Sequence, residues 1–374
     1  MNPFVDLDLR SWRSWTVSVT GINARADNPG PGCSVARCLK ENAEFNGRLI
    51  GLGYDVLDAG LYNKNWLDDG YLIPYPAAGD AVLLERIEDI CQAERIDAII
   101  PCLDSELTSF IRIKPELERL GIRLLIPGRD RLLAREKSAL FDLCQSIGVK
   151  TPETRLVSDQ RFFDECKELD WPYPFMLKGN FYDAYAVHSP EEARAVFDRL
   201  ISSWGYPTLA QKIIKGDEYN LTAIGDGRGA MLGEVMMRKR ALTDKGKAWA
   251  GVTINDPELK NLAASIVEKL CWQGPFELET MRDQSGKLNV IEFNPRFPSW
   301  IYTSKGVGRN LPVLLLRLMD DPNYLPTFPS YRSGVLFIRY AEELLVEMAD
   351  FESVFVRGST DSQKTISQKS VSMN

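Results

Sequence analysis

The chain has 374 residues, of which 44% are hydrophobic and 26% are charged, and its formal net charge is −7. This length can form two or three domains with proper cores, and the negative charge argues against a nucleic-acid-binding protein, since such proteins neutralise phosphates. No apolar run approaches the ~20 residues that span a bilayer, because Arg317 interrupts the richest one, residues 311–319. We therefore expect no nucleic-acid partner and no membrane association.

Cysteine and histidine usage narrows the compartment and the chemistry. The seven cysteines contain no Cys-x-x-Cys motif and fit reduced thiols, and the first residues lack the features of a signal peptide, so we expect a cytoplasmic protein. His188 is the only histidine, which nearly excludes imidazole-based catalysis. It precedes Ser189-Pro190, which predict a helix start, so we interpret His188 as structural.

Strand and helix patterns alternate in the first third of the chain. A parallel α/β domain is therefore expected over residues 1–130, and its ligand groups should gather where strands end, at residues 20–28, 54–55 and 102–106. The predicted strands are residues 15–20, 47–53, 96–101 and 123–127, and the predicted helices are residues 33–42 and 81–94.

Two glycines open the first predicted helix. Gly30 and Gly32 resemble the start of a nucleotide fingerprint, but Val35 stands where the third glycine would be. One interpretation is a tight turn into the helix. The alternative is a helix N-terminus that binds an anion, such as a substrate carboxylate.

Basic residues end two later strand-like segments. The apolar run at residues 174–178 ends at Lys178, and Arg238-Lys-Arg240 is followed by a loop that contains Lys247. A charge run of this kind is usually a solvated face. The alternative is that Arg238 or Arg240, together with Lys247, stabilises a transferring phosphate or acyl phosphate.

The most informative segment, residues 290–296, places three polar side chains at every second position. Glu292, Asn294 and Arg296 follow an apolar run, and Pro295 ends the regular pairing. Side chains two apart on a strand share a face. Oxygen ligands beside a fixed cation suit Mg²⁺ bound to polyphosphate, because the arginine neutralises phosphoryl charge.

A second predicted strand lies just upstream, at residues 274–281, with Glu277 and Glu279 on one face. The turn-rich residues 282–287 predict a hairpin, so the two strands should be antiparallel neighbours. Facing carboxylates repel each other unless a cation or proton joins them. The pattern therefore favours a metal site, and it leaves open whether Glu277 or Glu279 is the first ligand.

This pair of segments resembles the metal-binding hairpin of the ATP-grasp superfamily, whose second strand typically reads Glu-x-Asn-x-Arg. The likeness covers roughly residues 15–340 and is closest to one synthetase unit of the carbamoyl-phosphate synthase large chain, with biotin carboxylase and D-alanine–D-alanine ligase further off. It implies an α/β and α+β architecture, with an N-terminal parallel α/β domain before an ATP-grasp domain at residues 131–357. The small lobe would span about 150–212 and the large lobe about 213–357; residues 358–374, rich in Ser, Gln, Thr and Lys, are expected to form a disordered tail.

The resemblance also implies roles for individual residues. Relatives follow the lysine at the position of Lys178 with a loop rich in Gly and Ser, whereas residues 179–186 contain one glycine and three aromatics, which puts the loop's contribution in doubt. By position, the metal ligands would be Glu279, Glu292 and Asn294. The acyl phosphate would be held by Arg296 and Lys305. The residues that contact ATP would be Lys137, Lys178, Gln211, Lys212, Ile213 and Glu218.

The implied activity is an ATP- and Mg²⁺-dependent (or Mn²⁺-dependent) carboxylate–amine or carboxylate–thiol ligase. Its partners would be small-molecule carboxylate and amine substrates, with a homodimer as an open alternative. A second hypothesis is a bicarbonate-activating enzyme that makes carboxyphosphate. A third, motivated by the altered loop after Lys178, is a non-catalytic nucleotide-binding module. No motif in residues 20–130 names the acid.

Overall fold

The computed structural model describes residues 11–179, 183–328 and 330–360, apart from the side chains of residues 137 and 138. Part of the unusual loop after Lys178, residues 180–182, lies outside the described residues, as does most of the predicted tail, residues 361–374.

The N-terminal domain is built on a parallel sheet. Its elements are β1 (Thr16–Val19), α1 (Gly32–Lys40), β2 (Arg48–Gly53), β3 (Asp69–Leu72), α2 (Asp80–Ala93), β4 (Ala98–Ile100), α3 (Asp104–Arg119) and α4 (Arg129–Ala134). The strand order is β3-β2-β1-β4, and every pairing is parallel. Neighbouring residues Leu49 and Ile50 enter different hydrophobic clusters, so both faces of the sheet are covered. The predicted parallel α/β domain is confirmed.

Two details of this sheet differ from the prediction. The edge strand β3 was not predicted, because its four residues, Asp-Gly-Tyr-Leu, are too short to produce a pattern. The strand predicted at residues 123–127 is wrong: Arg123 alone forms a parallel bridge with Ala98. Arg123 exchanges two backbone hydrogen bonds of 3.0 Å with the chain around Asp97 and Ile99, after which Pro127 and Gly128 follow and no further pairing forms.

A second unit carries a four-stranded antiparallel sheet with the order β5-β8-β6-β7. Its core contains Trp171, Phe175 and Phe197 and is separate from the other clusters. His188 donates its backbone N–H to Glu192 at 2.8 Å, and Ser189 caps the helix, so the predicted helix start is confirmed. The elements are β5 (Thr154–Val157), α6 (Phe162–Glu165), β6 (Phe175–Lys178), β7 (Ala184–Val187), α7 (Pro190–Trp204) and β8 (Thr208–Lys212). The preceding helix, α5 (Lys137–Ser146), does not belong to this core, because its buried residues Leu140 and Cys144 join the cluster that contains Leu221 and Phe276.

The third unit is a six-stranded antiparallel sheet with helices. Its elements are β9 (Gly216–Asp226), β10 (Met231–Leu242), β11 (Ala248–Ile254), α8 (Pro257–Leu270), β12 (Gln273–Asp283), β13 (Leu288–Asn294), α9 (Tyr302–Gly306), α10 (Leu311–Asp320), β14 (Leu336–Ile338) and α11 (Met348–Arg357). The strand order is β13-β12-β9-β10-β11-β14. The predicted hairpin is present as β12 and β13.

The richest apolar run of the sequence forms α10. Asn310 caps this helix by accepting the N–H of Val313 at 3.3 Å, and Leu314 and Leu316 are buried. No helix in the described part of the chain is long and apolar enough to cross a membrane.

The N-terminal domain and the large sheet share one hydrophobic core. A single cluster of buried residues includes Val17 and Leu39 from the first domain and Phe297, Trp300 and Leu314 from the third unit. The small antiparallel lobe has its own core instead. The first and third units therefore form one packed body, and the small lobe can change position without opening that core.

The last described residues return to the N-terminal domain, so the prediction of a disordered tail is wrong for residues 358–360. Ser359 forms an antiparallel bridge with Tyr71 on β3. The carbonyl of Gly358 accepts hydrogen bonds from Leu72 N at 2.9 Å and from the buried guanidinium of Arg86 at 2.8 Å. These contacts cover the edge of the parallel sheet and hold residues 358–360 in place.

Candidate active site

The hairpin of β12 and β13 sets the geometry of the site. Glu279 lies directly opposite Glu292, and Glu277 lies directly opposite Asn294. Opposite residues on antiparallel strands have Cβ atoms about 5 Å apart, so the two pairs present their side chains on one face. The register shifts just after Glu279, and such bulges are common next to active sites.

Glu277 is a hydrogen-bond hub. Its Oε1 accepts from Asn220 Nδ2 at 2.9 Å and from Trp300 Nε1 at 2.7 Å. Its Oε2 accepts from Asn294 Nδ2 at 3.2 Å and from Arg296 Nη1 at 3.1 Å. With four donors and only 4% exposure, this carboxylate holds its neighbours in position and has little capacity left for a metal ion.

Glu279 has a different environment, because a buried lysine reaches it. Lys239 Nζ lies 3.1 Å from Glu279 Oε2 and 2.6 Å from Glu218 Oε2, and the lysine side chain is 7% exposed. Burial favours the neutral amine, but the charges of Glu279 and Glu218 outweigh it and raise the pKa of Lys239. Burial also works against an ionised Glu279, yet Lys239 keeps the pKa of this carboxyl below its ordinary value.

Lys239 is the functional candidate that the sequence interpretation missed. The sequence pattern favoured its neighbours Arg238 and Arg240 as phosphate-stabilising residues. Arg238, however, points to the opposite face and pairs with Asp217 at 2.7 Å. The signal was present in the period of β10, because Met237 lies in the core and the residue two positions on shares its face.

Arg296 ties the hairpin to the N-terminal domain. Its Nε donates to Asp104 Oδ2 at 2.9 Å, and Asp104 begins α3 directly after β4. Arg135 approaches the other oxygen of Asp104 at 3.8 Å. Because Arg296 is 7% exposed and held by Asp104 and Glu277, its guanidinium is fixed in orientation before any ligand binds.

A cavity of about 550 Å³ lies between the N-terminal domain and the large sheet. On one side it is lined by residues that follow β1, β2, β3 and β4, as predicted for the carboxyl ends of a parallel sheet. On the other side it is lined by Lys239, Lys247, Glu279, Arg296 and Trp300. Ligand-facing groups from both units therefore meet in one space.

The two glycines at the start of α1 allow close packing of the loop against the residues that follow β1. A Cβ on Gly30 would lie 2.1 Å from the carbonyl oxygen of Gly21, and one on Gly32 would lie 2.0 Å from that of Thr20. The N–H groups of Gly30 and Gly32 are already donated to Asn23 and Gly21. The tight-turn interpretation therefore explains this motif.

The residues predicted to contact ATP separate into two groups. Lys178 Nζ donates to Gln211 Oε1 at 2.6 Å, so these two lie together between β6 and β8. Lys212 turns to the opposite face, where it pairs with Glu153 at 2.7 Å, and Ile213 is 36% exposed. Glu218 faces Lys239, as described above. Lys137 is the first residue of α5, and its side chain lies outside the described residues.

Lys305, which the resemblance placed with Arg296 at the acyl phosphate, contacts a different part of the molecule. Its Nζ lies 2.5 Å from the carboxylate of Glu41, the residue that follows α1, and Tyr302 donates to the same carboxylate at 2.9 Å. Although burial acts in the opposite direction, hydrogen bonds from Arg37, Lys305 and Tyr302 lower the pKa of Glu41 to about 2. Lys305 does not line the cavity; its contacts join the large sheet's helices to the N-terminal domain.

One loop connects all three units over the cavity. The turn between β10 and β11 places Lys245 at 3.5 Å from Asp183 of the small lobe, and Thr243 donates to the carbonyl of Asp27 at 2.8 Å. Asp183 also accepts from Trp204 Nε1 at 2.9 Å. The small lobe is therefore held close to the other two units in this conformation.

Comparison with known proteins supports the fold assignment. No family model matches the sequence, and no curated protein matches it. Among solved structures, L-amino acid ligase from Bacillus licheniformis superposes with a TM-score of 0.60 and 15% identity, over 83% of this chain and 75% of that one. The β-γ-ATP complex of biotin carboxylase from Campylobacter jejuni gives a TM-score of 0.66 and 16% identity, over 87% of this chain and 75% of that one.

A third similar structure is N5-carboxyaminoimidazole synthetase from Staphylococcus aureus, with a TM-score of 0.57 and 15% identity over 85% of this chain and 80% of that one. At these identities the likeness establishes the fold alone. The chain has the ATP-grasp fold, preceded by a parallel α/β domain, as the hairpin motif predicted.

Proposed function

We propose that this protein is an ATP- and Mg²⁺-dependent ligase that activates a carboxylate as an acyl phosphate and joins it to an amine. The observation that carries the proposal is the polar face of the hairpin: Glu279 and Arg296 line the cavity of about 550 Å³, and Glu292 lies directly opposite Glu279, with Asn294 two residues further on. The similar structures include an L-amino acid ligase and an N5-carboxyaminoimidazole synthetase, which supports ligase chemistry on this fold.

The donor set suits the proposed metal ion. Mg²⁺ prefers oxygen ligands and is usually held by one or two carboxylates together with substrate phosphates, and Glu279 and Glu292 are two facing carboxylates. Asn294 donates its Nδ2 to Glu277 and Glu279, so its Oδ1 is the atom that can bind a cation. Among the described residues no group of three His, Cys, Asp or Glu could hold a metal, so phosphate oxygens would complete the shell. The bound ion would neutralise phosphate charge.

The nucleotide would lie between the small lobe and the large sheet. In this proposal Lys178, held by Gln211 at 2.6 Å, contacts phosphates, and Lys137 adds a second cation. The backbone around Gln211 to Ile213 reads the adenine edge. Glu218 binds the ribose with one carboxylate oxygen while the other keeps Lys239 at 2.6 Å.

Cationic side chains of the large sheet line the cavity, among them Lys239, Lys247 and Arg296. Donors that are fixed in advance stabilise developing charge without reorganising during the reaction. In the first step a carboxylate oxygen attacks the γ-phosphorus and the bond to the β-phosphate oxygen breaks, which releases ADP. In the second step an amine nitrogen attacks the acyl carbon, phosphate departs with the electron pair, and the nitrogen loses a proton.

The test is the identity and the acid dependence of the products. The purified protein is incubated with ATP, Mg²⁺ and a panel of amino acids and small carboxylates, with hydroxylamine present to trap an acyl phosphate as a hydroxamate. We expect ADP and phosphate only when a suitable acid is present, since a closed site withholds the phosphoryl group from water. AMP as the main product would contradict the mechanism.

Matched variants and reagents separate the alternatives. Glu292→Gln should abolish ADP formation, whereas Glu85→Gln, which removes an exposed carboxylate from α2 outside the cavity, should leave it unchanged. Stimulation by bicarbonate alone would favour the carboxyphosphate-forming alternative. ATP binding without turnover on any acid would favour a non-catalytic module.

A further inference from the structure

The two ends of the cavity differ in charge. At the hairpin end, the carboxylates of Glu277 and Glu279 are committed to Arg296 and Lys239. The other end lies in the N-terminal domain, on the turn that follows β2. Within the described residues, the carboxylates of this turn form no ion pair and accept hydrogen bonds from backbone N–H groups only.

Asp58 is built into this turn. It is 7% exposed, yet it lines the cavity. Its Oδ2 accepts the N–H groups of Tyr54 and Asp55 at 2.9 and 3.2 Å, and its Oδ1 has no hydrogen-bond partner in the part of the chain that the structure describes. Burial raises the pKa of Asp58, and the nearby charge of Asp55 acts in the same direction. The Oδ1 atom is therefore available to a donor or cation that enters the cavity.

Asp55 presents a second carboxylate to the cavity. Its Oδ1 accepts the N–H of Leu57 at 2.8 Å, which orients the side chain. Arg25, on the loop after β1, also lines this end; it is an exposed side chain and forms none of the ion pairs among the described residues. With Asp27 included, three carboxylates oppose one guanidinium here.

Aromatic rings form the wall beside these carboxylates. Tyr54 and Tyr75 stack with their ring centroids 5.5 Å apart and an interplanar angle of 26°. The hydroxyl of Tyr54 is anchored on the buried carboxylate of Glu106. Tyr75 is 57% exposed, so packing does not require a large aromatic side chain there. Aromatic faces attract ammonium and guanidinium groups, and carboxylates beside them add to that attraction.

We propose that the acid activated by this enzyme carries a cationic nitrogen away from its reacting carboxylate, and that Asp55, Asp58 and the Tyr54–Tyr75 pair bind that nitrogen. This inference rests on the proposed function, because it places the reacting carboxylate at the opposite, cationic end of the same cavity. The substrate class is therefore an amino- or guanidino-carboxylic acid. Its positive end would face the carboxylates of the cavity, and its negative end would face the cationic side chains.

The test measures binding and turnover separately. Calorimetry with Mg²⁺ and a non-hydrolysable ATP analogue compares ω-amino acids of increasing chain length with matched alkanoates, which lack the distal charge, and with dicarboxylates, which reverse it. We expect the best ω-amino acid to bind at least about tenfold more tightly than its matched alkanoate, the usual worth of a hydrogen bond to a charged group.

Variants locate the effect. Asp55→Asn keeps the shape and removes the charge, so it should weaken ω-amino acid binding by about tenfold and leave alkanoate binding unchanged. Tyr75→Leu should also weaken only the cationic ligands, and Glu85→Gln should change neither. Equal binding of alkanoates and ω-amino acids, no binding of any ω-amino acid, or an unaffected Asp55→Asn variant would each overturn the inference.

The two proposals fail in different ways. If ω-amino acids bind with the expected charge preference but no acid stimulates ADP formation, the binding inference stands and the ligase function fails. If dicarboxylates or alkanoates stimulate ADP formation as well as ω-amino acids do, the ligase function stands and the binding inference fails.

Discussion

Glu277→Gln should mainly lower the stability of the protein, whereas Glu279→Gln should mainly lower its activity. Glu277 is 4% exposed and accepts four hydrogen bonds, one of them from Arg296. A glutamine amide would replace one accepting oxygen by a donor that faces other donors. Removing one partner of a buried ion pair costs about 3–5 kcal/mol, so the Glu277 variant should be strongly destabilised.

Glu279→Gln should barely affect stability. Lys239 retains Glu218 at 2.6 Å, and the substitution removes the repulsion between Glu279 and the opposite Glu292. Activity should follow the reverse order per folded molecule, because Glu279 is the proposed metal ligand. We expect Glu279→Gln to lose ADP formation almost completely.

Thermal unfolding without ligands measures the first effect, and acid-dependent ADP release measures the second. A loss of about 3–5 kcal/mol should lower the melting temperature by roughly 4–6 °C in a protein of this size, with Glu85→Gln as the unshifted control. If Glu279→Gln is the less stable variant, or if it retains wild-type ADP formation while Glu277→Gln loses it, our division of roles is wrong.

Three further predictions address the bound nucleotide, the buried Lys239, and Lys305, which does not line the cavity. ATP with Mg²⁺ should raise the melting temperature and GTP should raise it less, and Lys178→Met should remove most of the ATP effect. Lys239→Gln should lower ADP formation by roughly 100-fold or more, because it removes a fixed donor. Lys305→Met should leave ADP formation at neutral pH unchanged. Because the pKa of Glu41 is lowered to about 2 from 4.5, the ionised Glu41 carboxylate stabilises the fold above about pH 4.5. This contribution to stability is lost as the pH falls from about 4.5 to about 2. Lys305 is one of the groups that lower this pKa, so Lys305→Met should lose less stability than the wild-type protein over this pH range.

Each of these predictions has a contradicting result. Equal shifts from ATP and GTP would remove the adenine assignment. Wild-type turnover by Lys239→Gln would remove this lysine from the site. A large loss of activity in Lys305→Met, measured at constant stability, would restore Lys305 as a catalytic candidate although it does not line the cavity.

The hairpin could be predicted from sequence because its information is local. A strand repeats every two residues, so the spacing of Glu277 and Glu279, and of Glu292 and Asn294, determines which side chains share a face. The connecting turn then brings the two faces together, and the observed register places Glu279 opposite Glu292. Short spacing and one turn were sufficient for this part of the site.

The contacts of Asp104 and Lys239 could not be found in this way, because their partners are distant in the chain. Asp104 meets Arg296 across 192 residues, and Lys239 meets Glu279 across 40. Neither contact follows from a local pattern; each depends on how sheets and domains pack. For the same reason the pairing of residues 358–360 with the edge of β3 was not expected, since a polar C-terminal segment resembles a disordered tail until its partner strand is known.

The fate of a carboxylate oxygen tests the central claim most directly. The acid that best stimulates ADP formation is prepared with its carboxylate enriched in a heavy isotope of oxygen, and the products are analysed by mass spectrometry. An acyl-phosphate mechanism moves one carboxylate oxygen into the released phosphate, and we predict labelled phosphate together with unlabelled ADP. Label in AMP, or phosphate that carries oxygen from water alone, would contradict the account.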